Sequence, residues 1–292
     1  MKAKRIVAAT CVAAATALLL SSCSSSSSSD NASTPSIMKD DAAAALLPAD
    51  IKSKGQISFG VDATYSPNEF KDANGNVTGW EIDLANAISG KLGITPKYVI
   101  ASFDNIIPSV VGGKYDAGLS SFSDTPERQK TVDFVNYYSA GIQWATTAGK
   151  SVDPNNACGL KVAAQNGTTE VDDLKVKSKA CTDAGKPAIT TLGFDSQDLA
   201  TQATTSGRAD AMSADSPVTQ YAVKQSSGKL ALIGEPYDVV LYGLPVKKGN
   251  TALANALKAA LESLQADGTY TKILDKWGVT AGAVTAITIN SK

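Results

Sequence analysis

A row of hydroxyl side chains followed by a single arginine lies in the middle of the chain, at residues 118–128 (GLSSFSDTPER). Serine and threonine hydroxyls and the backbone N–H groups at a helix start donate hydrogen bonds to anions, and an arginine fork binds a carboxylate through two parallel bonds. The segment therefore indicates a carboxylate-binding cradle centred on Arg128. The alternative is a capped helix start with a surface arginine, which is the commoner meaning of such a short segment.

The cradle follows a strand in a repeating pattern of short apolar runs and amphipathic stretches. From residue 57 this pattern predicts a βαβαβ unit, and near residue 161 it restarts and predicts a second one. Such alternation favours an α/β fold with a parallel sheet, in which ligands collect at the carboxyl ends of the strands. The predicted elements are strands 57–61, 97–100, 117–119, 161–164, 188–192 and 209–212, with helices 81–92, 105–111, 169–179, 196–206 and 216–225.

The last third of the chain predicts an extended segment at 239–246 and helices at 251–265 and 270–277, with no strand of their own after them. The extended segment is expected to cross back, so that these helices pack on the first unit. Two connections then span a cleft, a geometry that permits hinge closure around a small ligand. The expected division is lobe 1 at 51–143 and 244–280, lobe 2 at 144–243, and a C-terminal tail at 281–292.

The N-terminus indicates export. Three cations within the first five residues precede an uncharged run at 6–20, which is too short for an ordinary membrane span but suits the core of a secretory signal. The run ends in Leu-Ser-Ser-Cys, which resembles the lipobox of bacterial lipoproteins, so we expect residues 1–22 to be removed and Cys23 to carry a lipid anchor. A soluble exported protein with an incidental cysteine is the alternative. Residues 23–50, rich in serine and alanine, are predicted to form a tether.

Composition excludes several classes of function. The chain has no histidine, which rules out Ser-His-Asp and Cys-His catalysis and argues against a metal site. The 27 Lys and Arg residues fall to 24 when the three cations of the signal are removed, against 28 Asp and Glu. The mature chain then carries a formal charge of −4, and nucleic acid is not an expected partner. Gly149-Lys150 lacks the preceding glycine of a phosphate loop, because Trp144 occupies that position, and no cofactor is expected.

Two cysteines are left when Cys11 departs with the signal and Cys23 is lipidated. In an oxidising compartment, Cys158 and Cys181 are expected to form one disulfide within the second lobe. A pair of free buried thiols is the alternative.

A series of short motifs extends over about residues 55–278. The motifs are 62–67 (DATYSP), 79–84 (GWEIDL), 113–116 (GKYD), 125–128 (TPER), 132–134 (VDF), 167–169 (GTT), 207–211 (GRADA), Asp215, and 267–277, which begins with DG and ends with KW. Their order and spacing resemble the family 3 extracellular solute-binding proteins. The resemblance implies the type II periplasmic-binding-protein fold, with two α/β lobes around a cleft for one free amino acid. It also implies an ABC permease with a separate ATPase as partner, and we expect a monomer.

The resemblance assigns roles to the cradle. Arg128 is expected to bind the ligand α-carboxylate, with help from Ser123 and from Thr169 of the second lobe, and Asp215 is expected to bind the α-ammonium. Each assignment has a structural alternative, because Asp215 before Ser-Pro is a good helix N-cap and Thr168 with Thr169 can cap the following helix. Capping and ligand binding are compatible, since anions bind at helix starts.

The resemblance also outlines a pocket for the ligand's side chain. Tyr65 and Phe103 match positions where the family packs aromatic rings over the ligand's aliphatic stem, although a single aromatic residue is more commonly part of the core. Asp62 matches a position that faces the end of the ligand's side chain, and Ser121 matches a further site position. Ser120 matches a neighbour that contacts a cationic side chain in some relatives.

The chain departs from the family pattern at two positions, where Asp124 replaces an apolar residue and Asn68 replaces an aromatic one. Asp62, Asp124 and Glu170 are all expected near the cleft, and an uncompensated buried charge is costly. A cationic or amide side chain is therefore easier to accommodate than a second carboxylate. We predict a polar or basic amino acid as the ligand.

The main prediction is a binding component without chemistry of its own, which is held at the outer face of the cytoplasmic membrane and delivers an amino acid to a permease. Cyclohexadienyl dehydratases share the fold, so an enzyme with Glu170 as general acid is the first alternative, and a turnover assay on prephenate and arogenate separates the two. An extracytoplasmic sensor that presents its ligand to a membrane receptor is the second alternative, which the sequence leaves open.

Overall fold

The computed structural model describes residues 37–291, so the predicted signal and Cys23 lie outside the described residues. The helices of the described part are α1 (Asp41–Ala45), α2 (Ala49–Lys54), α3 (Trp80–Leu92), α4 (Phe103–Val111), α5 (Thr169–Asp183), α6 (Gln197–Thr205), α7 (Ser216–Gln225), α8 (Thr251–Ala266) and α9 (Thr269–Trp277), with 3-10 turns at Arg128–Lys130 and Thr280–Gly282. The strands are β1 (Gln56–Val61), β2 (Thr64–Tyr65), β3 (Glu69–Lys71), β4 (Val77–Thr78), β5 (Thr95–Ile100), β6 (Ala117–Gly118), β7 (Val132–Thr147), β8 (Lys161–Gln165), β9 (Thr190–Phe194), β10 (Ala211–Asp215), β11 (Leu230–Lys247) and β12 (Ala283–Ile289).

The main sheet has the strand order β5-β1-β6-β11-β7-β10-β8-β9, with β12 beside β7. Strands β5, β1 and β6 are parallel in the first lobe, and β10, β8 and β9 are parallel in the second. The predicted α/β alternation is thereby confirmed, although the sheet as a whole is mixed. The mixed character arises from β7 and β11, which pair antiparallel with each other and with their neighbours.

The strands β7 and β11 are the two connections between the lobes. Their pairing runs from Leu230 beside Thr147 to Lys247 beside Val132, so both strands continue from one lobe into the other. The register shifts three times along this pair. At Gly141 the strands approach so closely that an added Cβ would lie 2.6 Å from the carbonyl oxygen of Tyr237. The crossing of these strands therefore separates the cores of one lobe from those of the other and places the carboxyl ends of both sets of parallel strands opposite each other.

The core of the first lobe forms between the sheet and the helices α3, α8 and α9. In α8 apolar residues recur every three or four positions, so that Leu253, Leu257, Leu261 and Leu264 are all fully buried on one face. The second lobe has two smaller cores around β8 and β10, which are rich in alanine. None of the helices in residues 37–291 is long and apolar enough to cross a membrane.

The prediction of a tether that reaches residue 50 is wrong for its last ten residues. The helix α1 begins there, with Asp40 Oδ1 accepting the N–H of Ala43 at 3.0 Å. Ala43 and Leu47 are buried against the first-lobe core. An alanine run without a strand pattern suggested a spacer, but small side chains also allow a short helix to lie close against other helices.

The predicted C-terminal tail is also wrong, because residues 283–289 form β12 and pair with β7. The side chain of Asn290 then binds Asp133, and the backbone N–H of Ser291 donates to Asp124. Five of the seven residues in the segment AVTAITI are β-branched, which is a strand signal.

The predicted disulfide is confirmed, with Cys158 joined to Cys181 and the two Cα atoms 5.5 Å apart. It ties the segment before β8 to the last turns of α5, within the second lobe. Residues 158–181 therefore form a covalently closed loop that contains β8 and most of α5.

Candidate functional site

A cavity with an empty volume of about 290 Å³ lies where the two lobes face each other. All eleven residues predicted for the site line this cavity, together with Gln165, which was not predicted. The lining residues are Asp62, Tyr65, Phe103, Ser120, Ser121, Ser123 and Arg128 from the first lobe, and Gln165, Thr168, Thr169, Glu170 and Asp215 from the second.

Arg128 begins a single 3-10 turn that leads into β7, so the helix start considered for the cradle is one turn only. Its guanidinium donates to the carbonyl oxygens of Ser123 at 2.9 Å and of Gly167 at 3.1 Å, so it links the two lobes. It also lies 5.5 Å from the ring centroid of Phe103, within reach of a cation–π interaction. Burial lowers the pKa of Arg128, while nearby Glu170 and Asp215 oppose this shift. Three of the five guanidinium N–H groups make no hydrogen bond within residues 37–291.

Asp215 ends β10 and directly precedes α7, but its side chain makes no capping hydrogen bond to that helix. Its Oδ2 instead accepts the hydroxyl of Tyr65, across the cleft, at 2.8 Å. Burial raises the pKa of Asp215 well above its ordinary value, and the neighbouring charge of Glu170 raises it further. A cationic group placed beside this carboxylate would relieve both effects.

Glu170 is 1% exposed, and its Oε1 has no hydrogen-bond partner within residues 37–291. Its other oxygen accepts the hydroxyl of Thr169 at 3.4 Å. Burial raises the pKa of Glu170, and Arg128 counteracts this shift. An unpaired buried carboxylate oxygen is costly, so a ligand donor at this position would gain from the pairing.

Asp62 follows the carboxyl end of β1 and is held in place by several donors. Its Oδ1 accepts the hydroxyl of Thr64, and its Oδ2 accepts the backbone N–H of Phe103 at 3.0 Å and the amide of Gln165 at 2.8 Å. Burial raises the pKa of Asp62, and these hydrogen bonds offset part of the shift.

Gln165 was missed because it belongs to no motif. It ends the parallel strand β8, and its place at that carboxyl end was the available signal.

The hydroxyls of Thr168 and Thr169 do not cap α5, although Thr168 occupies its N-cap position. The Thr168 hydroxyl donates to the carbonyl oxygen of Gln165 at 2.8 Å. The start of α5 therefore lines the cavity through these two residues, and the backbone N–H groups of a helix start are suited to an anionic group. On the opposite wall, Ser121 has a left-handed backbone conformation, with φ of 52°, and Ser123 lies close to Arg128.

The two departures from the family pattern lie outside the cavity, which corrects the expectation that Asp124 is near the ligand. The buried carboxylate of Asp124 accepts donors from Gln129, Asn136 and Ser291, so it fixes the C-terminal segment. The amide of Asn68 donates to the Ser121 hydroxyl at 2.7 Å and accepts from the indole of Trp80. Asn68 therefore supports the cavity wall from behind.

Comparison with known proteins identifies the family. Residues 57–280 match the bacterial extracellular solute-binding proteins, family 3, and the chain belongs to that family. It is similar to an arginine-binding protein of Corynebacterium glutamicum, with 36% identity over 251 residues that cover 85% of this chain and 82% of that protein. It is also similar to the putative ABC transporter arginine-binding protein 2 of Escherichia coli, with 34% identity over 227 residues that cover 76% of this chain and 90% of that protein.

Among solved structures, an ancestral arginine-binding protein bound to arginine superposes with a TM-score of 0.71 and 36% identity. The superposition covers 76% of this chain and 98% of that one. The predicted periplasmic-binding-protein fold is confirmed by this likeness.

Proposed function

We propose that the chain is the substrate-binding component of an ABC importer, and that it captures a free amino acid with a cationic side chain, arginine first of all. The observation that carries the proposal is the charge pattern of the cavity between the lobes. One wall presents the guanidinium of Arg128, the opposite wall presents Asp215 and Glu170, and Asp62 lies beside Gln165. An α-carboxylate, an α-ammonium and a cationic side chain complement these three regions in turn.

The carboxylate end is supported by donors from both lobes. In the described part of the chain, Arg128 uses only two of its N–H groups, and the start of α5 offers backbone N–H groups at Thr169. Charge-assisted hydrogen bonds of this kind are each worth about 1.5–3 kcal/mol. The ammonium end is supported by Asp215 and by the unpaired Oε1 of Glu170.

The preference for a cationic side chain follows from the balance of charge. Among the lining residues, Arg128 is opposed by three carboxyl groups, those of Asp62, Glu170 and Asp215. An acidic amino acid would add a fourth buried negative charge, which is costly without a partner. A basic amino acid adds one net positive charge and improves the balance. The two relatives are both named as arginine-binding proteins, which agrees with a preference for a cationic side chain.

A thermal-unfolding screen of the purified protein against the twenty amino acids, ornithine and citrulline tests the proposal. Ligand at about one hundred times its dissociation constant stabilises the native state by roughly 2.7 kcal/mol. We expect the largest stabilisation with arginine, a smaller one with lysine or ornithine, and none with glutamate. Agmatine, which is arginine without its α-carboxylate, is the matched control and is expected to give no shift. A largest shift with an acidic or apolar amino acid would contradict the side-chain assignment.

An enzyme is the competing function, because Glu170 is a buried carboxyl group in the cavity with a raised pKa, as a general acid requires. The two relatives above carry the names of binding proteins, so we assign no catalysis. Incubation with prephenate and arogenate, followed by chromatography, is expected to show no product above the rate without protein. Product formation that Glu170→Gln abolishes would establish the enzyme instead.

The proposed site of action is the outer face of the cytoplasmic membrane, where a lipid on Cys23 holds the protein near a permease with its separate ATPase. The signal-like N-terminus and the lipobox resemblance support this anchor. The word transporter in a relative's name supports a permease partner over a sensory receptor. Metabolic labelling with a fatty acid is expected to mark the wild-type protein and not Cys23→Ala. A labelled Cys23→Ala protein would refute the anchor.

A further inference from the structure

Two buried carboxyl groups, those of Glu69 in β3 and Glu81 in α3, lie directly behind the part of the cavity wall formed by Ser120 and Ser121. Both glutamates are 0% exposed, and neither lines the cavity. Neither pairs with a lysine or arginine anywhere in residues 37–291. Their partners are neutral donors, which is unusual for two acidic groups in one buried space.

Glu81 receives three hydrogen bonds. Its Oε1 accepts the hydroxyls of Tyr137 and, at 2.9 Å, of Ser121, and its Oε2 accepts the backbone N–H of Ser121 at 3.1 Å. Glu69 receives a hydroxyl from Ser120 at 2.9 Å on Oε1, while its Oε2 lies 3.4 Å from the Ser121 hydroxyl. A carboxyl group that accepts hydrogen bonds from three donors is typically ionised, whereas Glu69 has fewer donors.

The two groups cannot both carry a charge at low cost. Burial raises the pKa of Glu69 well above its ordinary value, and the charge of Glu81 raises it further. Burial also raises the pKa of Glu81, but the hydroxyl of Tyr137, the neighbouring carboxyl group of Glu69 and the donors of Ser121 oppose the shift. One proton on Glu69 and a negative charge on Glu81 satisfy both sets of contacts.

These contacts fix the direction of the serine hydroxyls. Ser120 Oγ donates to Glu69 and accepts the backbone N–H of Asp62 at 3.1 Å. Ser121 Oγ donates to Glu81 and accepts the amide of Asn68. A hydroxyl has one donor and two acceptor sites, so each serine keeps one lone pair and no hydrogen for the cavity.

We infer that the pair Glu69–Glu81 is a specificity-determining element, which turns Ser120 and Ser121 into hydrogen-bond acceptors and so selects ligand side chains that only donate. The inference rests on the proposed function, since it names how the same site chooses its ligand. Together with the carboxylate of Asp62, the two serines form a surface that accepts from guanidinium or ammonium groups. A side-chain carbonyl oxygen finds no donor there, and a buried unpaired acceptor is costly.

The ratio of the dissociation constants of citrulline and arginine measures this selection, because citrulline replaces one guanidinium nitrogen by a carbonyl oxygen. In Glu81→Gln the amide oxygen must stay on the backbone N–H of Ser121, so the amide NH₂ meets the Ser121 hydroxyl and turns its hydrogen toward the cavity. We expect calorimetric titration of Glu81→Gln to show a citrulline-to-arginine ratio that is about tenfold or more below the ratio of the wild-type protein. This is the effect of one hydrogen bond to a charged group. An unchanged ratio in a folded Glu81→Gln protein would overturn the inference.

Two further variants separate selection from a general loss of stability. Glu69→Gln replaces the neutral acid by a neutral amide of the same shape, so the ratio is expected to stay within about threefold, or roughly 0.6 kcal/mol. Asp124→Asn removes a buried carboxylate of the same lobe that does not contact either serine, and it is also expected to preserve the ratio. Equal changes in all three variants would indicate a merely structural role. Wild-type protein that binds neither compound would overturn the proposed ligand itself.

A spectroscopic measurement on the wild-type protein covers the case in which Glu81→Gln does not fold. With ¹³C-labelled glutamate side chains, NMR at neutral pH is expected to show a neutral carboxyl resonance that disappears in Glu69→Gln. Absence of any neutral glutamate resonance would mean that both groups are ionised, and the inference would fail.

Discussion

The hydroxyl of Tyr65 lies 2.8 Å from Oδ2 of Asp215, which is 150 positions further along the chain and in the other lobe. The same hydroxyl accepts the backbone N–H of Asp215 at 3.0 Å. One side chain of the first lobe therefore holds the carboxylate that we assign to the ligand's α-ammonium. The position of that carboxylate and the approach of the two lobes are consequently coupled.

We expect Tyr65→Phe to weaken arginine binding by about tenfold, since a hydrogen bond to a charged group is worth about 1.5–3 kcal/mol. Loss of this link between the lobes is also expected to enlarge the radius of gyration of the free protein in small-angle scattering. Tyr98→Phe is the matched control, because its hydroxyl binds Asn86 within the first lobe. Tyr65→Phe protein with affinity within about threefold of wild type, and an unchanged radius, would contradict the coupling.

Arg128→Ala is expected to abolish detectable binding while the fold remains intact. The guanidinium provides the charge-assisted donors for the α-carboxylate, and its own contacts are to carbonyl oxygens that other donors or water can satisfy. Calorimetric titration with arginine measures the loss, and circular dichroism verifies the fold. Arg208→Ala, an exposed arginine of the second lobe, is expected to bind normally. Retained affinity in Arg128→Ala would refute the carboxylate assignment.

Removal of the disulfide by the double change Cys158→Ser and Cys181→Ser is expected to lower the free energy of unfolding by about 3 kcal/mol, from the loop it closes. Binding is expected to persist, because Cys181 is twelve residues along α5 from Thr169, or about 18 Å along the helix axis. Urea titration and calorimetry measure the two effects. Loss of binding at a temperature where the variant is folded would show that the bridge also shapes the cavity.

Stability and binding are expected to respond to pH in opposite directions. Burial raises the pKa values of Asp62, Glu170 and Asp215, so between the unfolded value of about 4 and the folded values the native state binds more protons than the unfolded state. The free protein therefore loses stability as pH rises through this interval. Asp133 and Asp267 have lowered pKa values, so their contribution to stability changes only below about pH 4, where it is lost as the pH falls.

Urea unfolding without ligand is thus expected to show greater stability at pH 5 than at pH 7. Arginine affinity is expected to be weaker at pH 5, because protonation removes the charges of Asp62 and Asp215 that bind the ligand. Asp215→Asn is expected to reduce the pH dependence of stability. Stability that rises from pH 5 to pH 7 in the free protein would contradict the assigned shifts.

Most of the cavity lining could be predicted from the sequence, because its residues lie in short local motifs whose order the family resemblance fixes. Arg128 and Asp215 are examples, and both line the cavity as expected. Residues whose place depends on distant partners were predicted poorly. Asp124 binds Ser291, which is 167 positions away, and does not line the cavity. Gln165 enters the site because β8 ends opposite Asp62.

The same limit applies to the fold. The alternation of strands and helices from residue 56 onward is local and was predicted, whereas α1 and β12 depend on packing against elements that are remote in sequence. The long strand β7 was missed because almost all of its residues are buried, which removes the alternation that marks a half-exposed strand. The pairing of Glu69 with Glu81 was not predictable: Glu81 lies in the motif at 79–84 and Glu69 in none, and neither side chain differs in sequence from an ordinary surface glutamate.

Calorimetric titration of L-arginine into the purified protein, unfolded and refolded beforehand to remove any bound ligand, tests the central claim most directly. We expect saturable binding with one site per chain, no detectable binding of agmatine, and no detectable binding of arginine by Arg128→Ala. These results together require both an α-carboxylate on the ligand and its recognition by the cleft. Failure to bind arginine or any other α-amino acid, or equal binding by Arg128→Ala, would contradict the claim that this cleft captures a free amino acid.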